Sequence, residues 1–124
     1  MTAKVVDASA LAALLFGKPE AEAVAGQLTN AHLVALALLG HEFANVCLVK
    51  IRRQPAEGVA MKAAFGLQAR MDLQTIEVDH TGVLELAQAT KLTAYDASYL
   101  WLARQLGAEL VTLDGQLAKA AATP

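Results

Sequence analysis

Short runs of β-branched residues alternate along this chain with longer segments in which apolar residues recur at one helical turn. At the start, two valines in the run 4–6 precede Asp7 and predict a short buried strand. Leucines from Leu11 to Leu15 follow at one-turn spacing, which predicts a helix over 8–16. The chain therefore opens with a strand that delivers one carboxylate to its C-terminal end and passes straight into a helix.

The same two patterns divide the rest of the chain into elements. They predict, in order, a helix at 20–28, a strand at 32–36, helices at 38–53 and 55–71, a strand at 75–78, helices at 79–91 and 93–106, a strand at 109–113 and a short helix from Asp114. Strands that alternate with helices are joined by right-handed crossovers and form a parallel sheet. We therefore expect one α/β domain over 1–124, with three α/β/α layers around a central parallel sheet of four strands.

The amino-acid composition predicts that this domain contacts another protein chain. Hydrophobic residues make up 56% of the 124 residues and the mean hydropathy is +0.40, which is high for a small soluble protein. No apolar run approaches the ~18 residues that a membrane helix needs, and no signal peptide opens the chain. We expect a partner protein or a second subunit, in a homodimer, to cover the surplus apolar surface. The lone Cys47 lies in a helical apolar pattern, so we expect it to pack in the core of a cytoplasmic protein.

The charge of the chain does not decide whether the protein binds nucleic acid. The net charge of −2 and the pI of about 5.9 are not typical of a nucleic-acid-binding protein. One segment nevertheless gathers five basic residues, Lys50, Arg52, Arg53, Lys62 and Arg70. A solvated helix face and a patch that follows RNA phosphates explain this cluster equally well.

Four acidic residues are expected at one edge of the predicted sheet. Asp7 and Asp114 end the first and last strands, and Glu42 and Asp96 lie in the first turns of helices that start at the same edge. The carboxyl ends of parallel strands are where open α/β sheets bind their ligands. Each acid also has a simpler interpretation: Asp7 and Asp114 as helix N-caps, Asp96 as part of a capping box with Thr93, and Glu42 as an exposed side chain.

Convergence of these acids favours a bound cation. Two carboxylates ~5 Å apart repel by about 3 kcal/mol at an effective dielectric constant of ~20, so a cluster of them is unfavourable without a positive ion. Oxygen ligands alone indicate Mg²⁺ or Mn²⁺ rather than zinc. The three histidines, His32, His41 and His80, show neither metal-ligand spacing nor a pair for metal-free acid–base catalysis.

Carboxylate-held Mg²⁺ is typical of phosphate chemistry, in which it activates water and stabilises developing charge. The chain has no Gly-rich phosphate-binding loop, which argues against nucleoside triphosphate hydrolysis. A haloacid-dehalogenase-type phosphatase needs a second Asp two positions after the first, where Ser9 stands, and a receiver domain needs paired N-terminal acids and a late lysine. Phosphodiester hydrolysis is the reaction that these residues favour.

Four segments around the acids, 5–11, 42–46, 92–100 and 110–114, resemble the signature segments of the PIN-domain family. Within that family the sequence is most similar to the VapC-type toxin ribonucleases of bacterial toxin–antitoxin pairs. The resemblance spans nearly the whole chain in the family's order. It implies a PIN-like fold and a Mg²⁺- or Mn²⁺-dependent endoribonuclease that cuts RNA and is held inactive by a cognate antitoxin.

The resemblance also assigns roles to the acids. Asp7 and Asp96 match the family acids that bind metal most directly, with Asp114 as a further ligand. Glu42 and Asp114 match the acids that complete coordination and position or deprotonate the attacking water. All four are therefore the predicted catalytic residues.

Three neighbouring polar residues have weaker assignments. Ser9 and Thr112 fall where hydroxyl groups often support the metal-binding acids in this family, although a helix-start serine and a strand threonine are equally good interpretations. Asn45 lies one turn beyond Glu42, within reach of a hydrogen bond. Packing is the preferred interpretation of Asn45.

The chain departs from the family after Asp114. The family continues through a helix into a fifth strand, whereas residues 115–124 hold only the short helix. The sheet is expected to have four strands, or five if that strand is formed. A PIN-like module that has lost catalysis and only binds a partner is the alternative function, although the retention of all four acids argues against it.

Overall fold

The computed structural model describes residues 1–123 and contains a central sheet of four strands in the order β3-β2-β1-β4. All three strand pairings are parallel. The strands are β1 Thr2–Val6, β2 Ala31–Leu36, β3 Gln74–Ile76 and β4 Glu109–Val111. Within residues 1–123 no fifth strand forms, so β4 is an edge of the sheet. The prediction of an α/β fold with a four-stranded parallel sheet is confirmed.

Seven α-helices connect and cover these strands. They are α1 Ala8–Leu15, α2 Ala21–Leu28, α3 Leu39–Arg53, α4 Gly58–Gly66, α5 His80–Thr90, α6 Ala94–Leu106 and α7 Gly115–Ala122. The sheet runs outward from β1 to β2 to β3 and then returns past β1 to β4. Since parallel crossovers are right-handed, this reversal places α1 to α4 on one face of the sheet and α5 and α6 on the other.

The sequence-based boundaries differ most from the structure in three places. The single helix expected at 55–71 is three segments, because short 3₁₀ turns at Pro55–Glu57 and Leu67–Arg70 flank α4, which begins and ends with glycine. Strand β3 begins one residue earlier than expected and stops at Ile76. Strand β4 ends at Val111 rather than Leu113, because the chain there turns toward Asp7 instead of continuing the ladder.

Aromatic packing ties the helices of the first face together. The ring of Phe43 on α3 lies 5.3 Å from the ring of Phe16 and 5.3 Å from that of Phe65 on α4. Cys47 is buried on the same helix, and its Sγ lies 3.7 Å from the carbonyl of Met61. The prediction that this cysteine packs in the core is confirmed. No helix in residues 1–123 has the length and apolar character needed to span a membrane.

On the opposite face, α6 carries the buried side chains of Tyr99, Leu100 and Leu102 onto the sheet. The helix contacts β1, β2 and β4, so it lies across the centre of the sheet. Helix α7 packs on α6 and β4 and buries Leu117. The core therefore holds β1 and α6 rigidly, and these two elements supply acids to the candidate site.

Candidate active site

Asp7 occupies the junction between β1 and α1 and is the only buried charged residue among residues 1–123, with 5% of its surface exposed. One carboxylate oxygen, Oδ1, accepts the backbone N–H of Ala10 at 3.0 Å and the hydroxyl of Ser9 at 2.7 Å. The other, Oδ2, accepts the hydroxyl of Thr112. Asp7 is thus the N-cap of α1, which confirms its simpler interpretation. Its carboxylate also accepts hydrogen bonds from the hydroxyl groups of Ser9 and Thr112.

Ser9 and Thr112 form a small hydroxyl network that joins the ends of β1 and β4. Their hydroxyl oxygens lie 3.4 Å apart. Thr112 Oγ1 accepts the backbone N–H of Asp114 at 3.0 Å, and Ser9 Oγ accepts that of Leu113 at 2.9 Å. Both residues therefore support Asp7 and shape the turn that leads into Asp114.

Asp96 and Asp114 lie at the starts of the two C-terminal helices. Thr93 caps α6 by accepting the N–H of Asp96 at 3.1 Å, and Asp114 caps α7 by accepting the N–H of Leu117 at 2.8 Å. Burial raises the pKa of Asp96, the negative charges of Asp114 and Asp7 raise it further, and the hydrogen bond from Thr93 opposes the shift.

Glu42 sits in the first turn of α3, half-buried, and its Oε2 is buried without a hydrogen-bond partner. Burial, followed by the charges of Asp7 and Asp96, raises the pKa of Glu42 from 4.5 to about 7. Asn45 is exposed, and among the described residues it makes no hydrogen bond to Glu42. A buried carboxylate oxygen with no donor is unfavourable for folding, which makes Glu42 a candidate ligand or proton acceptor.

The pKa shifts of Glu42 and Asp96 indicate that the four predicted acids lie close enough for their charges to interact. Asp7 acts on Glu42 and Asp96, Asp96 acts on Glu42, and Asp114 acts on Asp96. Within residues 1–123, no group of three or more His, Cys, Asp and Glu side chains is arranged so that it could hold a metal ion. The catalytic and metal-binding roles of these acids therefore remain predictions.

The chemistry of the donors nonetheless fits a hard divalent cation. All of the candidate ligands are carboxylate oxygens, which Mg²⁺ and Mn²⁺ prefer. The Oε2 of Glu42 is an acceptor to which none of residues 1–123 supplies a donor. Burial and the neighbouring carboxylates raise the pKa values of Glu42 and Asp96, so their ionised forms are unfavourable in the absence of a cation.

Two tyrosines at this site were missed by the sequence analysis. Tyr99 on α6 is 1% exposed, and its hydroxyl shares a hydrogen bond of 3.0 Å with that of Tyr95. Burial raises the pKa of Tyr99, and the charges of Glu42 and Asp7 raise it further, so its phenol stays protonated. The available signal was the placement of these tyrosines one turn apart, on either side of Asp96.

Two concave regions open beside the acids. A depression of about 400 Å³ is lined by Leu38, His41, Glu42 and Tyr95. A second cavity of about 450 Å³ lies between the ends of β2 and β3 and the starts of α5 and α6. Leu38 and Tyr95 line both, so the cavity adjoins the site that contains Glu42.

The five basic residues noted in the sequence lie apart from these acids, on the α3–α4 side of the sheet. Lys50 is half-buried, with its ammonium 5.5 Å from the centre of the Phe16 ring. Arg52, Arg53, Lys62 and Arg70 are exposed. A role for these residues in RNA binding stays a prediction.

Residues 4–123 match the model of the PIN domain, and the chain belongs to this family. The fold is also similar to that of PAE2754 from Pyrobaculum aerophilum, known from a crystal structure, with a TM-score of 0.75. The two sequences are 28% identical over 94% of this chain and 82% of that chain. No curated protein matches the chain significantly. Membership of the PIN family indicates nuclease activity.

Proposed function

We propose that this protein is a divalent-metal-dependent endoribonuclease of the VapC toxin type, which hydrolyses RNA phosphodiester bonds. The observation that carries the proposal is the buried, unpartnered oxygen of Glu42 beside the charges of Asp7 and Asp96. Folding alone gives no reason to keep such an oxygen without a donor. Membership of the PIN family and the VapC-like segments support the same activity.

In this proposal three of the four acids bind the metal ion and the fourth accepts a proton. Asp7, Asp96 and Asp114 would hold Mg²⁺ or Mn²⁺, which when bound activates water and stabilises negative charge on the phosphate. Ser9 and Thr112 fix the orientation of the Asp7 carboxylate through their hydroxyl groups. Glu42, whose Oε2 is buried without a hydrogen-bond partner among residues 1–123, would accept a proton from the attacking water.

The proposal also includes two protein partners. A toxin of this type is neutralised by a small cognate antitoxin, and the high hydrophobic content of the chain supports an extensive protein contact. Large apolar side chains are exposed on several elements, including Leu38 at 58%, Leu84 at 59% and Val59 at 86%. We propose a homodimer in the cytoplasm that binds the antitoxin.

RNA cleavage by purified protein tests the enzymatic part. With Mg²⁺ or Mn²⁺ present the protein should cut single-stranded RNA, and EDTA should stop it. Asp7→Asn and Asp96→Asn should each lower the rate by about 100-fold or more, since each removes charge from the reacting centre. Asp79→Asn is the matched control, because Asp79 also caps a helix, through the N–H of Gly82, and stands outside the acidic cluster.

Calorimetric titration with Mn²⁺ separates the enzyme from the inactive module. The wild-type protein and Asp79→Asn should bind the ion, and Asp96→Asn should bind it weakly or not at all. Metal-independent cutting, or full activity in both Asp7→Asn and Asp96→Asn, would falsify the proposal. Tight partner binding with no Mn²⁺ uptake and no cleavage would establish the module instead.

Expression in cells tests the toxin role. Induction of the wild-type protein should arrest growth and yield new RNA ends, and co-expression of the small protein encoded beside it should restore growth. Asp96→Asn should be harmless at the same expression level. Growth that is unaffected by an enzyme active in the test tube would reject the toxin role and leave the nuclease intact.

A further inference from the structure

The cavity of about 450 Å³ has no part in the chemistry described above, yet it adjoins the acidic site. It opens at the C-terminal edge of the sheet, where parallel α/β sheets bind ligands. Leu38 and Tyr95 form the wall that it shares with the depression containing Glu42. A chain-like ligand that reaches the acids can therefore place a neighbouring group in this cavity.

The lining of the cavity suits a flat group with apolar faces. Most of the wall is apolar, with Leu36, Ile76 and Leu84 among its residues. The ring of Tyr95 is held in place by edge-on packing against Tyr99, with ring centres 5.4 Å apart, and by the hydrogen bond between the two hydroxyl groups. An unpaired nucleobase is such a group, and unpaired bases in RNA are bound by stacking on aromatic side chains.

Two of the polar side chains that line the cavity, Glu77 and Ser98, offer hydrogen-bond acceptors. The carboxylate of Glu77 accepts and cannot donate. The hydroxyl of Ser98 already donates to the carbonyl of Ala94 at 2.8 Å, which leaves only its lone pairs for a ligand. A base with an exocyclic amino group supplies two N–H donors from one nitrogen, as adenine, cytosine and guanine do, whereas uracil offers a single N3–H between two acceptor carbonyls.

We propose that this cavity binds an unpaired, amino-bearing nucleobase next to the scissile phosphate and thereby selects where RNA is cut. The inference rests on the proposed ribonuclease function, to which it adds a sequence preference. His80, which also lines the cavity, is a further group that can contact the edge of the base.

The first test compares short single-stranded oligoribonucleotides that differ only at the base on one side of the cut. Adenine, cytosine, guanine, uracil and an abasic site are placed there in turn, and then on the other side. On one of the two sides, the wild-type protein with Mn²⁺ should cut the amino-bearing substrates about tenfold faster than the uracil and abasic ones, in keeping with the contribution of one stacked base.

Variants of the wall connect that preference to the cavity. Leu84→Trp, at a residue 59% exposed, should fill the cavity and remove the preference. Leu106→Trp is the matched control, since Leu106 is 42% exposed at the far end of α6. Glu77→Gln, which introduces a donor at an exposed position, should reduce discrimination against uracil even if the tryptophan variant folds poorly.

Binding without cleavage separates this inference from the proposed function. In EDTA, an oligoribonucleotide with 2-aminopurine at the preferred position should lose fluorescence on binding to wild-type protein and Leu106→Trp, and keep it with Leu84→Trp. Quenching without metal-dependent cleavage would support the base site and reject the nuclease. Equal cutting of all five substrates with equal quenching by both tryptophan variants would overturn the base site. A change of oligomeric state in Leu84→Trp with the preference intact would overturn it too, because the cavity would then be a protein contact.

Discussion

The hydroxyl of Thr112 donates a hydrogen bond to Oδ2 of Asp7, across a separation of 105 residues in the chain. The bond joins the C-terminal end of β4 to that of β1. Because Asp7 Oδ1 is occupied by Ser9 and Ala10, this bond completes the set of donors around the carboxylate. The orientation of the central acid thus depends on the last strand of the sheet.

Replacing Thr112 with valine removes that donor while keeping the shape of the side chain. Thr112→Val should lower the free energy of unfolding by about 1–3 kcal/mol, since it leaves a buried carboxylate oxygen unsatisfied. Urea unfolding followed by circular dichroism measures the change. Thr112→Ser should restore most of the stability, and Thr75→Val, at an exposed position of β3, should change it by less than about 0.5 kcal/mol. Equal stability of Thr112→Val and wild type would show that the bond contributes nothing.

The raised pKa of Glu42 predicts a specific pH dependence of stability in EDTA. Between pH 4.5 and about 7, folded Glu42 keeps a proton that the unfolded chain has lost, so stability falls as the pH rises through this window and is level above it. Solvent screening of this half-buried group limits the loss to about 1–2 kcal/mol. Glu42→Gln should remove most of the fall, leaving the smaller contribution of Asp96, and be the more stable protein at pH 8.

Urea unfolding of both proteins from pH 4.5 to pH 8 provides the measurement, and Glu85→Gln, exposed on α5, is the control. Saturating Mn²⁺ should reverse the order at pH 8, because the ion stabilises the ionised carboxylates of the wild-type protein. A constant difference between wild type and Glu42→Gln across the whole range would contradict this explanation.

The close approach of Trp101 requires glycine at position 82 on α5. A Cβ at this position would lie 2.6 Å from Trp101 Nε1 and 3.0 Å from Asp79 Oδ2. Gly82→Ala should therefore destabilise the protein by about 1–3 kcal/mol as the indole is displaced. Gly26→Ala in α2, where a Cβ would meet nothing within 4 Å, should stabilise it by about 0.5–1 kcal/mol. Thermal unfolding of the two variants side by side decides whether contact or helix propensity dominates.

The proposed homodimer predicts twice the chain mass of 13.0 kDa in light scattering coupled to gel filtration. Replacing exposed leucines with charged residues, as in Leu38→Glu and Leu84→Glu, identifies the face that pairs. A monodisperse monomer at micromolar concentration would count against the dimer. Val59→Glu is the useful comparison, because Val59 is 86% exposed on α4, on the other face of the sheet.

Sequence patterns were sufficient to predict the sheet, because its strands are short apolar runs separated by helical periods. They also placed Asp7 correctly at the end of β1, and both Asp7 and Asp114 correctly at helix starts. Asp114 itself lies three residues beyond the end of β4. The predicted end of β4 was wrong because a tertiary contact determines where this strand ends. Strand β4 ends early because the hydroxyl of Thr112 bonds to Asp7. No local pattern encodes that contact.

The less predictable half of the site depends on burial from distant elements. Nothing in the segment around Glu42 shows that one carboxylate oxygen is buried without a donor, because the neighbouring charges come from β1 and α6. Tyr99 has the spacing of an ordinary core residue on α6 and gives no sign of its proximity to three acids. The cavity beside them is formed by four separate elements.

The hydrogen bond between Thr112 and Asp7 has a consequence for folding during translation. A domain emerges from the ribosome N-terminus first, so β1 and β2 can pair long before β4 exists. Until Thr112 has left the exit tunnel, the carboxylate of Asp7 lacks one of its donors and Asp114 is not yet in place. The acidic site is therefore assembled only after the last strand of this domain has emerged, long after β1 and β2 have been able to pair.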